Sequence, residues 1–269
     1  MNKLKIGVMG CGGRMGTEIC QIVMDTEGME LAGGTEAPGS PLIGMHLHAF
    51  VAGKTGGPDI KDDVSKIVDE IDVIIDFTVP GATIKNFDAI ANKGKAIIIG
   101  TTGFSDEQLS HIQSRKGDVR CVIAPNMSVG VNLMFKLVAE AAKVIGKNYD
   151  MEIIDIHHNK KVDSPSGTAA RLAEICARET GRDISKVGNY GRHGIVGERS
   201  KDEIGVMSFR AGDVVGEHTV MFAGPGERVE ITHKAGSRSN FARGAVRAAQ
   251  WITGQKPGIY DMQDVLGLR

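Results

Sequence analysis

The chain has 269 residues, 41% of them hydrophobic and 24% charged, and a formal net charge of -1. This composition excludes a disordered chain and argues against a generally basic nucleic-acid binder; no apolar run is long enough to cross a bilayer. The length fits two compact units or one large one. Cys11, Cys20, Cys121 and Cys176 are scattered and form no CxxC pair. A reduced, cytoplasmic protein with no disulfide frame and no zinc knuckle is therefore expected. The chain start runs into a strand-like segment with no signal-peptide core.

In chain order, residues 4–9 form an apolar strand ended by Gly10. Gly10-Cys11-Gly12-Gly13-Arg14-Met15-Gly16 follows, and then a helix whose Met15, Ile19, Ile22 and Val23 recur at three- and four-residue spacing. Strands are expected at 29–33, 73–77, 96–99 and 120–124, with helices at 83–92 and 106–114, the latter capped by Ser105 or Asp106. This alternation predicts an α/β fold built on a parallel sheet with helices on both faces. After Ser128 the pattern changes. Residues 131–145 read as a long helix with Leu133, Leu137, Val138, Ala141 and Val144 on one face. A strand at 151–157 and a helix at 166–180 follow. Segments 203–209, 217–222 and 228–233 look like antiparallel strands joined by Gly-rich turns. Segment 187–199 lacks any period and reads as a mobile surface loop, and 241–252 as a last helix.

A strand, a glycine turn and a helix are the recipe for holding a pyrophosphate. Gly10 permits the tight turn, Gly12 and Gly13 let the backbone approach the phosphates, and Gly16 lets helix and strand pack closely. Glu36, at the end of the second strand, is placed to accept the ribose hydroxyls of an adenosine. Ala37 beside it is not basic, so NADH is expected to serve at least as well as NADPH, unless Arg14 clamps the extra phosphate. Gly100-Thr101-Thr102-Gly103 and Ala124-Pro125-Asn126-Met127 follow the next strands, where open parallel sheets bind ligands. Gly53-Lys54-Thr55 looks like the tail of a triphosphate loop, but His48 stands where that motif needs glycine.

The densest chemistry is His157-His158-Asn159-Lys160-Lys161-Val162-Asp163-Ser164-Pro165-Ser166-Gly167-Thr168. Lys160 or Lys161 supplies charge for an anionic ligand, and Gly167 and Thr168 supply N–H groups at a helix start. Crowded cations should lower the proton affinity of Lys161 and both histidines. A metal site is disfavoured, because adjacent strand histidines point to opposite faces and the lysines repel cations. Two other readings remain: a different two-domain NAD(P)-dependent dehydrogenase, which would not need this cluster, and a non-catalytic dinucleotide sensor.

The same run closely resembles the signature of the 4-hydroxy-tetrahydrodipicolinate reductase (dihydrodipicolinate reductase) family of the diaminopimelate and lysine pathway. So do the opening glycine loop, Asp76-Phe77-Thr78, Gly100-Thr101-Thr102-Gly103, Asn126-Met127-Ser128-Val129-Gly130-Val131-Asn132, Arg210-Ala211-Gly212-Asp213-Val214-Val215-Gly216-Glu217-His218 and Glu230-Ile231-Thr232-His233-Lys234-Ala235. The resemblance implies a Rossmann dinucleotide-binding domain, 1–128 with 241–269, and a mixed α/β domain, 129–240, that binds substrate and builds a homotetramer. It implies reduction of a cyclic dicarboxylate by NADH or NADPH, with no nucleic-acid or membrane partner expected. By position His157 becomes the acid/base residue and Lys161 the proton donor. His158, Gly167 and Thr168 become substrate contacts. Gly10, Cys11, Gly12, Gly13, Arg14, Met15, Glu36, Gly100, Thr101, Thr102, Ala124, Pro125, Asn126 and Met127 become cofactor contacts. No metal is implied. The family often has a basic residue after the acid, and Ala37 departs from that pattern.

Overall fold

A computed structural model describes residues 3–53 and 55–269. The first two residues, and Lys54 of the triphosphate-loop lookalike, lie outside the described residues. The chain starts with β1 (Leu4–Met9), α1 (Arg14–Asp25), β2 (Met29–Thr35) and a short α2 (Leu47–Ala52). After two one-turn 3₁₀ segments come β3 (Val73–Asp76), α3 (Pro80–Asn92), β4 (Ala96–Ile99), α4 (Asp106–Ser114) and β5 (Arg120–Ile123). Next come α5 (Val129–Ile145), β6 (Asp150–His157), α6 (Gly167–Thr180), α7 (Ile184–Val187), β7 (Gly188–Asn189), β8 (Ile204–Arg210), β9 (Gly216–Gly224) and β10 (Glu227–Ala235). The chain closes with α8 (Ser239–Ile252), β11 (Gly258–Tyr260) and α9 (Met262–Val265). Two compact units result, Met1–Val129 with Ser239–Arg269, and Gly130–Arg238.

The first unit holds a six-stranded sheet in the order β11-β5-β4-β3-β1-β2, and every pairing is parallel. β3 and β4 are buried at every position, which their unbroken Val and Ile runs require of strands covered on both faces. Burying each such side chain contributes about 1.5–3 kcal/mol, enough to outweigh roughly 1–2 kcal/mol of backbone entropy per residue. α1 and α8 pack with one face of the sheet around Ile19, Val23, Ala245 and Ala249. α3 and α4 pack the other through Phe87, Ile90 and Ile112. Strand order reverses between β1 and β3. Parallel strands bring their carboxyl ends to one edge, so the loops after β1, β3, β4 and β5 share the edge where such sheets bind ligands.

The second unit holds a five-stranded sheet in the order β10-β9-β6-β8-β7. Here the expected run of antiparallel strands is corrected. β9 and β10 form a hairpin, but β8 pairs parallel with β6, which lies between it and β9. The Arg210–Asp213 segment is therefore part of a crossover and not a hairpin turn. The backbone of Ala211 donates to the His157 carbonyl at 2.9 Å, and Asn159 to the Gly212 carbonyl at 3.1 Å, so the ends of β6 and β8 are laced together. α5 and α6 cover one face through Met134, Val138, Ala142, Leu172 and Cys176. The apolar face expected on α5 is mostly not the buried one. Val138 is buried, yet Leu133, Leu137 and Val144 are 43%, 47% and 80% exposed. Both stripes of this helix are apolar at helical spacing, so the pattern alone does not choose between them.

The expected mobile loop at 187–199 is anchored. It begins with β7 against β8. Arg192 then pairs with Glu152 at 2.7 Å and with Glu203. Arg199 reaches Asp150 at 2.8 Å and Glu152 at 3.0 Å. Arginines folding back onto acids of β6 replace the periodic apolar contacts that were absent from the sequence.

Candidate active site

At the first sheet's carboxyl edge, Gly10 turns the chain with φ +63. The Gly12 N–H donates to Glu36 Oε1 at 2.6 Å, so the carboxylate from the end of β2 already lies against the loop. A side chain on Gly12 would meet Leu42 at 2.2 Å, and one on Gly16 would meet the Gly10 carbonyl oxygen at 2.0 Å. The cradle exists only because these residues are glycines. The N-cap of α1, Gly13, makes no side-chain cap, leaving the helix N-terminus to a ligand. These features fit the pyrophosphate and ribose of a dinucleotide. Arg14 and Gly13 are exposed and Met15 is partly buried. Cys11 is fully buried, and its thiol is pushed up to about 12, first by burial and then by the charge of Glu36. Its side chain is closed off inside the core, leaving only its backbone at the loop.

A buried carboxylate organises the neighbouring loops. Asp76 ends β3 with no exposure. Its oxygens accept from the Thr78 hydroxyl at 2.6 Å, Thr83 at 3.1 Å, Asn86 at 2.8 Å and Thr101 at 3.3 Å. The start of α3 and the ends of β3 and β4 are thus fixed together. The Thr101 side chain is consumed by this network, while Thr102 is exposed. Gly100 is forced by Phe77, whose ring would stand 2.2 Å from a side chain there. After β5, Ala124 and Met127 are buried, Pro125 is exposed and Asn126 half-buried. The Asn126 side chain accepts from the Ser128 N–H at 2.9 Å. Gly244 of α8 lets the Met127 carbonyl approach, 1.8 Å from where a side chain would begin.

In the second unit, the carboxyl end of β6 carries Asp155 and His157 on the buried face. Register places Asp155 opposite Ser208 of β8 and His218 of β9, and His157 opposite Arg210. Asp155 is fully buried. Its Oδ1 lies 2.9 Å from His157 Nδ1 and 3.3 Å from His218 Nε2. Its Oδ2 accepts from the Ser166 N–H at 3.0 Å, the Ser208 hydroxyl at 3.1 Å and Arg210 at 3.2 Å. Burial alone would raise the Asp155 pKa. The contacts with His157, His218 and Ser166 outweigh it and hold the carboxyl far below the usual range. These contacts favour the ionised form of Asp155.

Ser166 also caps α6, its hydroxyl accepting from the Ala169 N–H at 3.2 Å. Gly167 and Thr168 therefore open a helix whose first turn is fixed to the acid beneath it. A side chain on Gly167 would meet nothing within 4 Å, so the space in front is open. Arg210 donates to the Asp163 carbonyl at 2.7 Å, pinning the loop that carries Lys161. Lys161 pairs with Asp163 at 2.8 Å, whereas Lys160 is exposed. His158 has its proton affinity lowered, first by burial and then by Arg238, His157, Lys161 and Arg210. The expected effect of crowded cations is thus present at that residue. Asp155, His157 and His218 also bring one ligand atom each within 4.8 Å of one another. The third group is not His158, which follows the end of β6, but His218 of β9, brought beside Asp155 by strand register. Arg210 on the same carboxylate opposes a dication there.

The whole chain has known relatives. The family description "Dihydrodipicolinate reductase, N-terminus" matches residues 4–127, and "Dihydrodipicolinate reductase, C-terminus" matches residues 130–266. The chain belongs to the dihydrodipicolinate reductase family. A 4-hydroxy-tetrahydrodipicolinate reductase from Geotalea daltonii is 50% identical over 99% of this chain and 100% of its own length. One from Syntrophobacter fumaroxidans is 46% identical with the same coverage. A dipicolinate-bound dihydrodipicolinate reductase from Paenisporosarcina sp. TG-14 shares the fold with a TM-score of 0.77 at 24% identity, covering 97% of this chain and 98% of that one. An NAD(H)-bound scyllo-inositol dehydrogenase from Lactobacillus casei shares it with a TM-score of 0.58 at 15% identity, covering 99% and 94%. As a dihydrodipicolinate reductase family member, the chain is a pyridine-nucleotide-dependent oxidoreductase with a Rossmann unit. Among the described residues no helix is long and apolar enough to cross a membrane.

Within this reductase frame, sequence reasoning brought His157, His158, Lys161, Gly167 and Thr168 to the same strand end and helix start, where the structure has them. Sequence reasoning gives no part in the proton transfer to Asp155, His218, Arg210 or Arg238. His218 and Arg210 lie in the run 210–218 that carries part of the resemblance, but their distance from Asp155 in the chain hid the pairing.

Proposed function

We propose that the protein reduces 4-hydroxy-tetrahydrodipicolinate to tetrahydrodipicolinate in diaminopimelate and lysine biosynthesis, with His157 as acid/base residue and Lys161 as proton donor. The observation that carries this reading is the grouping of His157, His158 and Lys161 beside the capped N-terminus of α6, in a chain of this family. The bound nicotinamide supplies the hydride. Loss of the 4-hydroxyl as water leaves an imine-conjugated ring; hydride added to that ring leaves electron density that must be protonated, and the Lys161 ammonium both supplies that proton and stabilises the developing charge. A ligand carboxylate is received by the N–H groups of Gly167 and Thr168 and by the Thr168 hydroxyl, with His158 as a further contact.

A dinucleotide would be held by Gly10, Cys11, Gly12, Gly13, Arg14 and Met15, with Glu36 serving its ribose and Gly100–Thr102 and Ala124–Met127 its nicotinamide half. Domain roles follow: 1–128 with 241–269 binds dinucleotide, and 129–240 binds substrate. Glu36 followed by Ala37 sets like charge against a 2′-phosphate, so NADH serves at least as well as NADPH. Cofactor consumption followed by absorbance, with the substrate and each cofactor in turn, tests both statements. The expected result is turnover with a KM for NADH no higher than that for NADPH. Absence of turnover contradicts the reaction, and a tenfold advantage for NADPH contradicts the preference.

The protein works as a cytoplasmic homotetramer in this reading. The sheet face opposite α5 and α6 carries Ile154, Ile156, Met207, Phe209 and Met221, all partly or well exposed, with Phe209 at 53%. An apolar face of this kind calls for a partner surface, and the particle mass in solution checks the subunit number.

A further inference from the structure

We propose that Asp155 is the positioning residue for His157, fixing which ring nitrogen carries the proton; this rests on the reading of His157 as the reactive imidazole. The two oxygens of Asp155 face different partners. Oδ2 is taken by three donors, the Ser166 N–H, the Ser208 hydroxyl and Arg210. Oδ1 faces His157 Nδ1 at 2.9 Å and His218 Nε2 at 3.3 Å. The His157 contact is bent, an ion-pair approach rather than a straight hydrogen bond. With a carboxylate on that side the neutral ring keeps its proton on Nδ1 and leaves Nε2 as the lone-pair nitrogen. The other edge of the ring is set by Gly216 of β9, where a side chain would begin 2.9 Å from Nε2. The imidazole is thus held between an acid that orients it and a glycine that leaves it room.

Asparagine at 155 discriminates this role from general packing. The three donors around Oδ2 claim the amide oxygen, so the amide NH₂ turns to His157 and His218. A donor then faces Nδ1, which favours the other tautomer while shape and volume stay nearly constant. In catalytic triads the equivalent change leaves geometry intact and lowers turnover steeply.

The test is a double-mutant cycle of Asp155→Asn with His157→Ala, reading kcat, KM for the substrate and the NADH dissociation constant. The expected result is a loss of about 10² in kcat for Asp155→Asn, within the range of one general acid–base group. NADH affinity should stay within twofold. In the His157→Ala background, Asp155→Asn should cost less than threefold further. A full multiplicative loss in that background overturns the proposal, because Asp155 then acts independently of His157. If His157→Ala alone leaves kcat unchanged, the assignment of His157 fails instead. A second measurement needs no variant: the ring-nitrogen NMR signals of neutral His157 in the intact protein should report the proton on Nδ1. A proton on Nε2 overturns the proposal even if Asp155→Asn does not fold.

Discussion

Lys161→Ala lowers kcat by about 10² or more, the scale of one lost general acid. The lysine is held in place. Its ammonium lies 2.8 Å from Asp163 Oδ1, with 20% of the side chain exposed. Its loop is tied down by the bond from Arg210 to the Asp163 carbonyl. The Asp163 carboxyl is kept below the usual range first by its hydrogen bond from Lys161, against a smaller opposing effect of burial. A folded-state pKa lowered in this way means that Asp163 stays ionised, and the pair intact, until the pH falls below the ordinary carboxylate range. Steady-state kinetics separate two roles. A proton delivered in the transition state is lost from kcat and kcat/KM together, whereas a charge that only attracts the dicarboxylate is lost from KM. A variant within threefold of wild-type kcat removes Lys161 from the proton transfer.

Gly16→Ala destabilises the first unit by about 3 kcal/mol, the upper range for overpacking, and weakens NADH binding at least tenfold. The added methyl carbon would stand 2.0 Å from the Gly10 carbonyl oxygen and 2.8 Å from the Cys11 Cα. Both are backbone atoms, so no rotamer change relieves the clash. α1 must move away from β1, and the cradle of Gly10, Gly12 and Gly13 opens with it. Thermal unfolding should show a midpoint lower by several degrees, and an NADH titration should show the lost affinity. A variant with both quantities unchanged contradicts the close-packed loop.

The first unit was legible in the sequence because its signals are local. Unbroken apolar strands, a glycine turn and a capped helix at Ser105 each lie within a short window, and the parallel sheet follows from their alternation. The second unit was less legible because its decisive facts are pairings. Nothing within 203–222 says that β6 inserts between β8 and β9, since both arrangements bury the same alternating residues. The site divided in the same way. His157, Lys161, Gly167 and Thr168 are close in sequence and were read together. Asp155 meets His218 and Arg210 only through strand register, so the anchor of the site was invisible until the sheet was known. Leu133, Leu137 and Val144 mark a further limit. An apolar stripe shows that a face is covered but not by what, and on α5 the core took Met134, Val138 and Ala142 instead.

The most direct test is a crystal of the protein with a nicotinamide cofactor and a pyridine dicarboxylate. The dinucleotide phosphates should lie on the loop from Gly10 to Gly16. One ligand carboxylate should meet the N–H groups of Gly167 and Thr168, with the Lys161 amine in hydrogen-bond reach of the ligand. The ligand ring should face the nicotinamide. A dicarboxylate bound elsewhere, or the cluster around His157 beyond reach of a correctly seated nicotinamide, contradicts the account.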